Sequence, residues 1–365
     1  MTTTVTHVPG QRQPVPPAVL ADPARIYAGV DTHADTHTAV ALDGRGGRLG
    51  DLQIPTEPAG YATLTGWLTG FGPVAAVGIE GTSSYGAALT RHLYAAGVTV
   101  IEVDRPDRAA RRRAGKSDPL DAEAAARAVL SGRATGTPKT SSGEVESIRL
   151  LRILRRTLVD ARKQAMQKIK SILVTAPDDL RTPLRSLPDR QLITSCARLR
   201  PDPDRLTDPN QAAKRVLRSL ARRWQDAADE LTDLDMQLTT LIDQVNPRLL
   251  QTCGIGVATA SQLLVTAGQN PDRMHTEAAF AMLCGVAPVP ASSGKTSRHR
   301  LNRGGDRDAN CAIHHIALTR KATDQKTRAY ITRRRTEGLT NRDATRCLKR
   351  AIAREIWHLL TLDRP

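Results

Sequence analysis

The chain has 365 residues, 40% of them hydrophobic but only 3% aromatic, and 53 basic against 37 acidic side chains leave it at +16. That length allows two or three domains with cores of Leu, Val, Ile and Ala. The positive charge points to a polyanionic partner, nucleic acid ahead of a membrane surface, and the scarcity of aromatics favours phosphate contacts by Arg and Lys over base stacking. No apolar run is long enough to span a bilayer. Cys196, Cys253, Cys284, Cys311 and Cys347 are scattered without metal-ligand spacing, which argues for reduced thiols in a cytoplasm and against structural zinc.

Residues 1–25 are polar and proline-rich, with no apolar core ahead of a cleavage site, and are expected to form a disordered tail. A first domain is expected over 26–135. It opens with strands at 26–31, 37–42 and, after a turn rich in glycine (Gly44, Gly46, Gly47), 49–54, an antiparallel meander. Tyr61, Leu64, Trp67 and Leu68 follow at helical spacing. A buried strand at 74–80 ends in Glu80, and a helix at 85–96 and a strand at 98–103 complete a mixed sheet with helices on its faces. Such crossovers bring strand ends and helix starts to one crevice.

In Lys116-Ser117-Asp118-Pro119-Leu120-Asp121, proline at a first helical position predicts a helix that begins at Asp118, with that residue as its cap. Asp118 and Asp121 then share a face near the positive end of the helix dipole. A cap and a dipole partner need nothing more, but two such acids can also chelate a hard cation such as Mg²⁺. Asp31 closes the first strand and Glu80 the fourth, so all four carboxylates can face one crevice and hold two divalent ions, Mg²⁺ or Mn²⁺, ~4 Å apart. Glu123 lies further round the helix. Arg105, Arg108, Arg111, Arg112, Arg113 and Lys116, just upstream, would neutralise phosphates that carboxylates alone repel.

After a linker at 132–143, apolar residues at Ile148, Leu151, Leu154, Leu158, Ala161, Ala165, Ile169 and Ile172 predict a long amphipathic helix over 145–173, with Arg149, Arg152, Arg155, Arg156, Lys163, Lys168 and Lys170 on its basic face. Prolines break the chain from Pro177 to Pro209, and a second long helix runs over 211–245. The region 144–246 is read as a helical, coiled-coil-like pair, antiparallel or serving oligomerisation. The last domain, 247–365, opens with Gly254-Ile255-Gly256 between helices, either a phosphate-binding helix-hairpin-helix or a tight helical corner. Gly285-Val286-Ala287-Pro288 then leads to Ser292-Ser293-Gly294, and Lys295, Arg298, Arg300 and Arg303 surround the serines with cations able to activate a hydroxyl and hold a phosphate. A helix from Asp308 and a basic helical tail follow, with Trp357, Leu359 and Leu360 expected in the core.

Together, Asp31, Glu80, Asp118, Asp121, the helix-hairpin-helix and the run from Gly285-x-x-Pro288 to Ser293-Gly294 resemble the DEDD transposases of bacterial insertion sequences, family 110. The resemblance implies a RuvC-like first domain of RNase H-like fold, with Mg²⁺ held by the four acids, and an α/β plus all-α architecture overall. It implies a C-terminal serine that attacks DNA, Ser293 by its place after the Gly-x-x-Pro motif, with Ser292 an adjacent competitor. It further implies donor and target DNA, an element-encoded guide RNA, a dimeric or tetrameric synapse, and the cytoplasm of a bacterium at the nucleoid. One departure is Arg303-Gly304-Gly305-Asp306, where a Lys-Arg-Gly-Asn-like segment is expected. Two other readings share these features: a RuvC-like junction endonuclease that uses water, and a non-catalytic basic nucleic-acid-binding protein whose acids are structural.

Overall fold

The computed structural model describes residues 22–103, 117–292 and 299–361, so most of the expected N-terminal tail lies outside it. The chain forms two compact units. One comprises residues 1–141 and 268–275, the other 142–267 and 276–365.

The first unit is a mixed sheet with helices on both faces. Its elements are β1 (Ile26–Thr32), β2 (Thr36–Leu42), β3 (Arg48–Pro55), α1 (Pro58–Phe71), β4 (Val74–Glu80), α2 (Ala87–Ala95), β5 (Val100–Val103) and α3 (Asp118–Leu130). The sheet order is β3-β2-β1-β4-β5, antiparallel across the meander and parallel from β1 through β4 to β5. This is the mixed α/β arrangement read from the sequence, and it is compatible with an RNase H-like fold. Alternation divides the strands cleanly. Ala28, Val30, Ala39, Ala41, Val77 and Ile79 pack under Tyr61, Leu64 and Leu68 of α1 and Leu89 and Leu93 of α2. Val40 and Leu42, and separately Ala76, Ile101 and Val103, pack under α3 on the opposite face.

Two expectations change here. Ser117, extended at φ −149°, is the cap of α3, and its carbonyl accepts the Leu120 and Asp121 amides. Asp118 is already helical, so its carboxylate is not spent on capping. Residues 132–143, read as a linker, are anchored in part: Glu102 N–H donates to the Gly136 carbonyl at 2.7 Å, and Asn270 donates to Pro138 O and accepts from Thr140 N–H.

The second unit is helical. α4 (Gly143–Thr175) and α7 (Pro209–Val245) run antiparallel: Arg155 pairs with Asp235 at 2.6 Å, Arg162 stacks over Trp224 at 4.3 Å, and Ile169 and Leu173 share a core with Leu217 and Ala221. Between them lie the short helices α5 (Asp178–Leu184) and α6 (Asp189–Ala197), which the proline count alone does not reveal. Then come α8 (Arg248–Gln251), α9 (Val257–Ala267), α10 (Glu277–Leu283), the two-residue strands β6 (Val289–Pro290) and β7 (His299–Arg300), α11 (Arg307–Thr323), α12 (Gln325–Thr336) and α13 (Asn341–Thr361). In α13 the buried stripe is Ile352, Ala353, Ile356 and Leu360, while Trp357 and Leu359 are only half-buried, one helical step off the predicted face. Among the described residues no helix is long and apolar enough to cross a membrane.

Candidate active site

Strand parity decides which acids meet. Ala28 and Val30 of β1 enter the core beneath α1 and α2, so Gly29 and Asp31 face α3. Val77 and Ile79 of β4 do the same, which puts Gly78 and Glu80 on the α3 face of the neighbouring parallel strand, with Val30 beside Ile79. Each acid thus follows two residues after a glycine. A Cβ on Gly29 would stand 2.1 Å from the Ala122 carbonyl oxygen and 2.3 Å from the Ala126 nitrogen, and one on Gly78 would stand 3.0 Å from the Ala125 carbonyl. Only glycine lets the helix backbone lie this close. The buried Ala122, Ala125 and Ala126 complete the approach, which aims the first turn of α3 at the end of β1.

At that end, one ligand atom each from Asp31, His33 and Asp118 all lie within 4.8 Å of one another. His33 Nε2 is 3.2 Å from Asp31 Oδ2 and 3.5 Å from Asp118 Oδ1. Burial raises the Asp31 carboxyl above its ordinary value; His33 pulls it back, and the charges of Asp121 and Asp118 push in the same direction as burial. Thr32 Oγ1 donates to the Glu80 carbonyl at 2.9 Å and pins the two strand ends together. Hard oxygen donors crowded closely enough to repel one another are what a divalent cation relieves, so the donor set fits such an ion. Glu123 is instead committed to Arg127 at 2.6 Å and Arg48 at 3.5 Å. His33 is the member that sequence reasoning missed. It sits in the turn between β1 and β2, where its amide donates to Thr36 O, and the only sequence signal is its place two residues after Asp31.

Arg105, Arg108, Arg111, Arg112, Arg113, Lys116, Ser293, Lys295 and Arg298 lie outside the described residues. Val289 pairs with Arg300 and Pro290 with His299 in an antiparallel pair, and Ser292, two residues after β6, is exposed. Arg300 and Arg303 are exposed. At the base of this pair, Gly285 and Gly305 both have left-handed backbones, and a Cβ on Gly305 would stand 2.4 Å from the Leu283 carbonyl. Asn310 Nδ2 donates to the Cys284 and Gly285 carbonyls, and Lys349 Nζ donates to Asn310 Oδ1 at 2.6 Å.

Asp306, at the departure from the family pattern, anchors the exit of the loop. Its Oδ1 caps α11 by accepting the Asp308 and Ala309 amides. Its Oδ2 accepts from the buried Thr266 hydroxyl at 2.7 Å and the buried Gln262 amide at 3.3 Å. Arg152 donates to Gln262 Oε1, and burial lowers the pKa of that guanidinium.

Gly254 and Gly256 form a turn between α8 and α9, with Gly254 at φ +78°. Arg320, itself buried, donates to the Cys253 carbonyl at 2.7 Å and pairs with Glu355, while the Gly256 amide donates to Thr259 Oγ1. A phosphate at this turn would have to displace that last bond. Part of the basic face of α4 is likewise engaged within the second unit: Arg149 with Glu146, Arg155 with Asp235, Arg156 with Asp308 and Lys170 with Asp189.

Residues 28–176, which include the four acids, match a transposase family model of the DEDD, IS110 type. Residues 246–332, which include the Gly254 turn and the serine loop, match the transposase IS116/IS110/IS902 family. The insertion element IS110 uncharacterized 43.6 kDa protein of Streptomyces coelicolor is 34% identical over 133 residues, 35% of this chain and 32% of that protein. The insertion element IS900 uncharacterized 42 kDa protein of Mycobacterium paratuberculosis is 28% identical over 153 residues, 41% of this chain and 38% of that protein. The chain therefore spans between about a third and two fifths of the length of these curated relatives.

Proposed function

Because the chain belongs to the IS110 family of DEDD transposases, we propose that it mobilises an insertion element by cutting and rejoining DNA through a serine–DNA intermediate. The observation that carries this reading is the docking of α3 on Gly29 and Gly78, which brings Asp118 beside Asp31 at the end of β1. Asp31, Glu80, Asp118 and Asp121 would hold Mg²⁺ or Mn²⁺, one ion or two. Such an ion supplies charge neutralisation at the scissile phosphate and makes a nearby hydroxyl a better nucleophile.

The rest falls to the chain itself. Ser293 Oγ attacks the phosphorus; the bond to the 3′ oxygen breaks, and that oxygen leaves as a hydroxyl with the proton serine gives up. A 3′-hydroxyl from the exchanged strand then attacks the phosphoserine, the P–Oγ bond breaks and serine recovers a proton. One phosphoester replaces another, so no nucleotide hydrolysis is required. Lys295, Arg298, Arg300 and Arg303 bind the phosphates at the loop, and Arg105, Arg108, Arg111, Arg112, Arg113 and Lys116 bind those near the acids. The Gly254–Gly256 turn adds a backbone contact. Donor and target DNA are the substrates, an RNA encoded beside the gene supplies sequence recognition by pairing, and two or four copies assemble the synapse.

The test is expression with the flanking DNA, followed by denaturing electrophoresis for a protein–DNA adduct. An adduct present in the wild type and lost in Ser293→Ala and Asp118→Asn is the expected result. Strand breaks without an adduct, undiminished in Ser293→Ala, would instead establish a nuclease that uses water. Tight, salt-sensitive binding without any breakage would leave a binding protein only.

A further inference from the structure

The four acids offer oxygen alone, yet an imidazole stands against both Asp31 and Asp118. His33 presents a single atom, Nε2, to both: 3.2 Å from Asp31 Oδ2 on β1 and 3.5 Å from Asp118 Oδ1 on α3. One N–H makes one well-aligned hydrogen bond, so a nitrogen shared between carboxylates of two different elements is poorly explained as a simple donor. Two ligands held at right angles ~2.1 Å from one ion stand ~3 Å apart, close to both distances. The side chain is 46% exposed, which leaves open coordination positions for water or a phosphate oxygen.

We propose that His33 Nε2 is a third protein ligand beside Asp31 and Asp118, which makes this a mixed nitrogen–oxygen centre that prefers a first-row transition ion such as Mn²⁺ to Mg²⁺. Imidazole suits the transition metals, whereas Mg²⁺ favours oxygen and sheds its waters reluctantly. The proposal rests on the reading of this cluster as a metal centre and goes beyond it in donor and ion.

The experiment is Mn²⁺ and Mg²⁺ titration of the full chain by calorimetry, with pulsed electron paramagnetic resonance of the Mn²⁺ complex to detect ¹⁴N coupling. The wild type should bind Mn²⁺ more tightly than Mg²⁺ and show ¹⁴N coupling. His33→Ala should lose the coupling and at least about tenfold in Mn²⁺ affinity, the scale on which even a partner of a metal ligand counts. His33→Gln, which offers an oxygen of similar reach to Nε2, should lose the coupling while retaining Mg²⁺ binding, and it serves if the alanine variant does not fold. Mn²⁺ bound without ¹⁴N coupling, or coupling that survives in either variant, overturns the role of His33 and leaves the carboxylate centre standing. A protein that melts cooperatively and binds neither ion overturns the metal centre itself.

Discussion

Gly29 has almost no freedom to change. A methyl group there meets backbone on α3, which cannot swing away as a side chain would, so Gly29→Ala must push the helix off the sheet. We expect a loss of about 1–3 kcal/mol and of strand cleavage, read by thermal melting and the adduct assay. Gly66→Ala is the control: it lies in α1 with nothing within 4 Å of an added Cβ, and it should stabilise by roughly 0.5–1 kcal/mol. A second residue-scale expectation concerns His37, fully buried on β2 and stacked on Tyr61 at 6.0 Å. Burial lowers its pKa below the usual 6.5, so the folded protein keeps it neutral while the unfolded chain takes up a proton first as pH falls. The stability it contributes is therefore present above pH 6.5 and is lost progressively below it. Melting between pH 8 and 5 should show that slope, reduced in His37→Leu. The placement of Asp31 and Glu80 at strand ends and of Asp118 at a helix start was legible because such positions leave local marks. His33 was not, because its partner Asp118 is distant in sequence and nothing local announces the meeting.

At the scale of elements, the cap of α11 and the core beneath it share one side chain. Asp306→Ala removes the acceptor of two helix amides and leaves Thr266 and Gln262 short of a partner, which should cost about 2–4 kcal/mol by denaturant unfolding. Asp306→Asn keeps a capping oxygen and should recover most of it. The strand at 74–80 and the two long helices were legible from periodicity alone. α5 and α6 were not, because Pro177 and Pro188 were read as breaks when they occupy the cap positions from which these helices start, and Pro209 stands in the first turn of α7. The β6–β7 pair escaped because two residues a side are too few to alternate.

For the molecule as a whole, net charge overstates what is available to a polyanion. Several arginines of α4 already face carboxylates, so Arg149→Ala and Arg155→Ala should lower stability while leaving the salt dependence of DNA binding nearly unchanged. Replacement of Arg111, Arg112 and Arg113 together should flatten the log–log salt slope by up to about 2.7, if each meets a phosphate. Filter binding across a salt series separates the two sets. Composition points to a polyanion, and only the ion pairs show which cations are already paired. Nor could local patterning assign residues 268–275 to the first unit, since Asn270 finds Pro138 and Thr140 more than a hundred residues upstream. That assignment has a consequence for biosynthesis. The ribosome finishes the five strands early, but the unit they belong to stays incomplete until residue 275 has emerged. At ~5–20 residues per second this is a wait of roughly 10–30 seconds, and a copy of the gene interrupted anywhere before that codon would encode a first unit that lacks its final segment.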